Sequence, residues 1–106
     1  MSAEPAFELH PLAAQDITDI WQYIADDNPA SAGRLREAIL AAIKAVASFP
    51  HSGRKRPDLT GRPLRFIFVR DYLIAYAPDK KPLLVVAVMH GRRSPRVMAA
   101  ILRGRE

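Results

Sequence analysis

Leu83-Leu84-Val85-Val86-Ala87-Val88-Met89 is the stretch on which the fold turns. No residue in it carries a polar side chain, and three of the seven are valines. β-Branched side chains favour extended backbone. A strand that does not alternate apolar with polar must be covered on both faces. The run is far shorter than the roughly 20 apolar residues a membrane helix needs. It reads as the central strand of a sheet.

Two further strand-like runs precede it, Leu64–Val69 and Tyr72–Ala77. Arg70-Asp71 separates them, and Pro78-Asp79-Lys80-Lys81 leads into the apolar run. Connections this short make antiparallel neighbours, so the three strands form a meander. Upstream, His51–Gly61 is a loop rich in Pro, Gly, Arg and Lys. Before that, Ala32, Leu35, Ile39, Ile43 and Val46 recur at helical spacing, and Asn28-Pro29 supplies a cap and a first-turn proline. An earlier helix opens at Pro11, carries Ala13, Ile17, Ile20, Trp21 and Ile24 on one side, and turns Asp16, Asp19 and Gln22 away. It stops near Asp26-Asp27, and the short connection makes the two helices an antiparallel hairpin. Trp21 and Tyr23 are expected to pack the hairpin on the sheet. Phe7-Glu8-Leu9-His10 alternates as a short first strand does. Downstream, Val97–Leu102 is amphipathic and reads as a short helix. The order is β-α-α-β-β-β, an α+β fold with the hairpin on one face of a small, mostly antiparallel sheet.

The 106 residues suit one domain, with a core at about 7–93 and a tail, 94–106, of unassigned role. Cysteine is absent, which excludes disulfides and thiolate chemistry. The first residues lack the basic and apolar regions of a signal peptide, so a cytoplasmic location is expected. Charge is sharply divided. Residues 1–50 hold 3 Lys+Arg against 7 Asp+Glu, a balance of −4, whereas residues 51–106 hold 13 against 4, a balance of +9. The second half therefore suits an acidic partner: nucleic acid, a nucleic-acid machine, or an acidic protein segment. Arg54-Lys55-Arg56 is its densest cluster, and Arg92-Arg93 follows the central strand.

Several motifs, in order, resemble the ParE/RelE toxin superfamily and its ParE-like, plasmid-stabilisation branch. They are Pro11-x-Ala13-x-x-Asp16-Ile17-x-x-Ile20-Trp21-x-Tyr23-Ile24, Asn28-Pro29-x-x-Ala32, Phe49-Pro50-x-x-Gly53-Arg54, Asp58-Leu59 before Arg65, Tyr72-x-Ile74-x-Tyr76, and His90-Gly91-Arg92-Arg93. The resemblance runs from about residue 7 to residue 93. It implies a toxin of a type II toxin–antitoxin system, held silent by a ParD-like antitoxin in a hetero-oligomeric complex. ParE-like members act on DNA gyrase, and RelE-like relatives cut messenger RNA on the ribosome. The two share a scaffold, so the chemistry of the site has to choose between them. The resemblance implies no cofactor, no metal and no membrane partner, and operator DNA would be reached only through the antitoxin.

A metal-independent ribonuclease needs a base for the ribose 2′-hydroxyl, an acid for the leaving oxygen, and cations for the phosphate. His90 could be the acid, Asp58 the base, and Arg65 with Arg92 or Arg93 the clamp. An aspartate is a weak base at neutral pH unless its surroundings raise its pKa. The clustered lysine, arginine and tyrosine of RelE-like nucleases are missing, and His90 is followed by glycine rather than tyrosine. The ending therefore resembles the ParE-type branch, in which the residues serve contact: Arg54, Lys55, Arg56, Arg65, His90, Arg92 and Arg93 are the expected surface for target or antitoxin. A toxin reduced to a co-repressor is the third reading. The structural alternatives are equally concrete. His90 would end a strand and hydrogen-bond a backbone group, and Arg65 would pair with an acid of the hairpin.

Overall fold

The computed structural model describes residues 5–105. The elements are β1 (Phe7–Leu9), α1 (Pro11–Ala25), α2 (Pro29–Ser48), β2 (Arg65–Val69), β3 (Tyr72–Ala77), β4 (Leu83–His90) and α3 (Pro95–Arg103). The sheet order is β1-β4-β3-β2. β2, β3 and β4 form the expected antiparallel meander. β1 lies parallel to β4, with Phe7 opposite Leu83 and Leu9 opposite Val85, so the sheet is mixed rather than antiparallel throughout. The hairpin and the loop after it carry the chain to β2 at the opposite edge, and the meander then reverses twice, which brings β4 back beside β1 and parallel to it. The apolar run that fixed the reading is central, flanked by β1 and β3.

Each helix begins in the same way. A polar side chain caps it and a proline follows in the first turn, where a missing N–H costs nothing. His10 Nδ1 accepts from Leu12 N at 3.0 Å, Asn28 Oδ1 from Ser31 N at 3.1 Å, and Ser94 Oγ from Val97 N at 3.2 Å. Between β2 and β3 the turn is carried by Arg70 in the left-handed region, at φ 53°.

The sheet separates two apolar layers. On one face the hairpin buries Ala13, Ile17, Leu35, Ile39, Ile43 and Val46 against Ile74, Tyr76, Leu83, Val85 and Val88. On the other face Met98 and Leu102 of α3 join Leu59 and Leu64 of the loop over Phe66, Leu73, Ala75, Val86 and Met89. The tail therefore has a structural role. β4 is apolar on both sides because the hairpin covers one and α3 the other. Each fully buried leucine or isoleucine contributes on the order of 2 kcal/mol from water exclusion.

The loop after α2 is tied to the core by one phenol. Tyr76, fully buried, donates its hydroxyl to Pro50 O at 2.8 Å and accepts from Gly53 N at 2.9 Å. Any Cβ at Gly53 would stand 2.5 Å from that hydroxyl, so only glycine fits. Immediately beyond, Arg54 pairs with Phe66 on the outer side of β2.

The side of the hairpin that was expected to face solvent does not do so completely. Asp16 accepts from Val88 N at 3.0 Å and from both terminal nitrogens of Arg105, with Nη2 at 2.9 Å. Arg105 Nη1 also donates to Val86 O at 3.2 Å. β1 ends opposite Val85, so the edge of β4 beyond that point has no strand beside it. The carboxylate and the guanidinium serve its open N–H and C=O instead. The expected hairpin-to-sheet packing of Trp21 and Tyr23 is not observed. They are 40% and 79% exposed, because they lie off the stripe set by Ala13, Ile17, Ile20 and Ile24.

Candidate functional site

His90 closes β4, opposite Tyr72 at the start of β3. The two rings meet edge to face, with centroids 5.2 Å apart. His90 Nδ1 accepts from Arg92 N at 3.0 Å, which leaves Nε2 to carry the proton of the neutral ring. This is the backbone-bonding role expected of a strand-ending histidine. Gly91 follows in a confined place. Its N–H donates to Asp71 O at 2.7 Å, and a Cβ there would stand 2.9 Å from Phe68 Cε1 and 3.1 Å from Asp71 O. The Phe68 ring rests against Gly91, where any larger side chain would have to push it aside.

A cavity of about 280 Å³ opens beside His90, lined among others by Asp19, Ile20, Tyr23, Tyr72 and Arg93. Burial is the main reason that the Tyr72 phenol titrates above its ordinary value, and the nearby Asp71 adds to the shift. Tyr72 is therefore a neutral donor or a packing surface, and no phenolate forms near neutral pH.

The other candidates lie elsewhere. Asp58 is in the loop before β2, hydrogen-bonded by Arg56 through Nε at 2.9 Å and Nη2 at 2.8 Å. That two-pronged contact holds the Asp58 carboxyl below the usual carboxylate range and raises Arg56 above its own. Asp58 lines a cavity with Arg62 and Arg103, whereas Arg54 and Arg56 line another with Phe66 and Phe68. The expected pair of Arg65 with an acid of the hairpin is not formed; its Nη1 donates to Gly53 O at 2.9 Å. β2 sits at the far edge of the sheet from β1, and the Arg65 side chain turns to the carbonyl of the neighbouring loop. Lys55, Arg92 and Arg93 are exposed. Of the seven contact residues, the structure brings His90 and Arg93 to one cavity and Arg54 and Arg56 to another. It does not bring Asp58 to His90's cavity.

Sequence reasoning missed Phe68 and the Asp16–Arg105 pair. Phe68 reads as an ordinary strand residue, yet it is 62% exposed. The short helix expected at Val97–Leu102 is α3; the available signal that it covers the sheet was β4 itself, since a run apolar on both faces needs a second cover that the hairpin cannot provide. Among the described residues, no three His, Asp or Glu side chains come together as metal ligands would, and no helix is long and apolar enough to cross a membrane.

A family model, the ParE toxin of the type II toxin–antitoxin system parDE, matches residues 7–95. The chain belongs to this family. The match spans β1 through the His90-Gly91-Arg92-Arg93 turn and ends where α3 begins. No curated protein matches the chain. Membership makes it the toxin of a type II pair and implies an antitoxin partner.

Proposed function

We propose that this toxin arrests growth by docking on DNA gyrase and blocking replication, and that a ParD-like antitoxin silences it. In this reading residues 1–106 act as one toxin domain in the cytoplasm, and operator DNA is reached through the antitoxin. The observation that carries it is the dispersal of the acid–base candidates. Asp58 is held ionised by Arg56 and lines a cavity other than the one beside His90. A carboxylate with a lowered pKa is a poorer base than free aspartate. Arg65 donates to a backbone carbonyl rather than facing a phosphate site. What the surface does offer is exposed guanidiniums at Arg54, Arg92 and Arg93, suited to two-pronged contacts with carboxylate or phosphate. Inhibition of this kind needs no proton transfer, only anchor residues and complementary charge.

The test is to induce the chain without its antitoxin and follow DNA and protein synthesis separately, for the parent and for His90→Ala. Replication should stop first while translation continues, and His90→Ala should remain toxic. Collapse of translation with fresh cuts in messenger RNA, abolished by His90→Ala or Asp58→Asn, would replace this reading with the RelE-like ribonuclease. No effect on either process would leave a co-repressor.

A further inference from the structure

We infer that the outward face of α3 is a docking surface for the phosphate backbone of duplex DNA. This contact is independent of the process the toxin arrests and of the antitoxin's mode of binding. α3 lies almost wholly beyond the residues that the family model matches, so membership does not account for its outward face. From Arg92 to Arg105 the chain holds five arginines and no acidic or aromatic residue. Arg105 is engaged by Asp16, and Arg93 lines the cavity beside His90. Arg92, Arg96 and Arg103 are exposed, and among the described residues their side chains have no hydrogen-bond or ion-pair partner.

Met98 and Leu102, 3% and 1% exposed, fix which side of α3 meets the sheet. With about 3.6 residues per turn, Arg96 and Arg103 stand on the opposite side, two turns apart and about 10 Å along the axis. Phosphates of one DNA strand advance about 3.4 Å each, so the pair spans about three of them. Ala99 and Ala100 lie between the two arginines, and their short side chains let another backbone come close. Arg62 adds a further cation. Its Nη1 donates to Leu102 O at 3.0 Å, which holds the guanidinium at the end of α3, in a groove of about 480 Å³ shared with Ala99 and Arg103. The acid of that groove, Asp58, is taken up by Arg56. Helix stability does not explain the arrangement. A helix N-terminus is the positive end of the dipole and favours acidic side chains, yet the first turn of α3 has none and carries Arg96.

The occupant follows from what this face lacks. A basic amphipathic helix lies on a membrane by its apolar side, and here that side is buried on the sheet. Val97 is the one large hydrophobic side chain of α3 that is exposed, too little for the anchor cluster of a protein partner. Single-stranded nucleic acid is held by stacking on aromatic rings, and this segment has none. Duplex phosphates require only guanidiniums, and the contact is independent of sequence.

The test is fluorescence anisotropy of a labelled, mixed-sequence DNA duplex with the full chain, free of antitoxin, from about 50 to 200 mM salt. The variants are Arg96→Ala/Arg103→Ala, the charge-keeping Arg96→Lys/Arg103→Lys, and a control, Lys44→Ala/Lys80→Ala, which removes the same charge from exposed positions elsewhere. The parent's plot of log affinity against log salt should slope at about −3 to −4, and the alanine pair should lose about 2 of that slope and about tenfold or more in affinity. The lysine pair should keep the parent's slope, and the control should bind within about threefold of the parent. The parent's slope and the lysine pair decide the matter if the alanine pair fails to fold. No binding by the parent at the lowest salt, an unchanged slope in the alanine pair, or an equal loss in the control would overturn the proposal. Tighter binding to RNA, to phosphatidylglycerol vesicles or to polyglutamate than to the duplex would assign the face to those partners and overturn it too. Each of these failures leaves the proposed toxin function standing.

Discussion

Removing the guanidinium at Arg105 tests how the far end of the chain is fastened. Arg105→Ala deletes two charge-assisted hydrogen bonds to Asp16 and a third to Val86 O. The side chains of Arg105 and Asp16 are only 12% and 19% exposed, so water replaces these bonds poorly. Asp16 keeps its bond from Val88 N, which lessens the loss. Hydrogen bonds to charged groups contribute about 1.5–3 kcal/mol each, and breaking a fully buried ion pair costs about 3–5 kcal/mol. With partial exposure and one surviving bond, the expected cost is about 2–4 kcal/mol. For a chain of this size that lowers Tm by roughly 9–18 °C. Thermal unfolding followed by circular dichroism measures it, with Arg103→Ala, exposed at the end of α3 two residues before, as the control expected to stay within about 2 °C. The double variant Asp16→Ala/Arg105→Ala should lose at least about 1 kcal/mol less than the sum of the two single variants. A Tm for Arg105→Ala equal to the parent's would refute the claim that this pair closes the β4 edge.

Tyr76→Phe leaves Gly53 N and Pro50 O unpaired beneath the loop and should cost about 1–3 kcal/mol in denaturant unfolding. Gly91→Ala should displace the Phe68 ring, visible as shifted aromatic resonances, while β4 itself persists. By carboxyl NMR, Asp58 should titrate below the usual aspartate range and return to it in Arg56→Ala. Because its folded pKa is depressed, its contribution to stability is present above the unfolded value and disappears as pH falls through the folded one. Addition of the antitoxin should raise the thermal midpoint of the toxin, and identical midpoints with and without it would contradict a folded-state partner.

Most of the architecture was legible because its signals are local. Leu83–Met89 announced a strand buried on both faces, and Asn28-Pro29 marked the start of α2 at the residue where it begins. What stayed hidden depends on groups distant in sequence. Asp16 lies 89 residues from Arg105, and its position on the polar side of a helix gives no sign that Val88 N will need an acceptor. β1 pairs parallel because of where the meander returns the chain, which three residues of alternation cannot report. The site was legible as a set of residue types but not as a constellation. His90 and Asp58 look like a general acid and base in one dimension, and the fold directs them to different cavities. Phe68 escaped notice since exposure of one aromatic on a strand has no sequence signature.

The spatial order β1-β4-β3-β2 also orders events in time. During synthesis the first strand and the hairpin leave the ribosome well before the strand that will join them to the rest of the sheet. Until Leu83–His90 emerges, β1 has no neighbour and β3 lacks one of its two. A cell making this toxin should thus be spared by geometry while the molecule is under construction, and messages cut short ahead of that strand should yield only harmless, unfolded fragments.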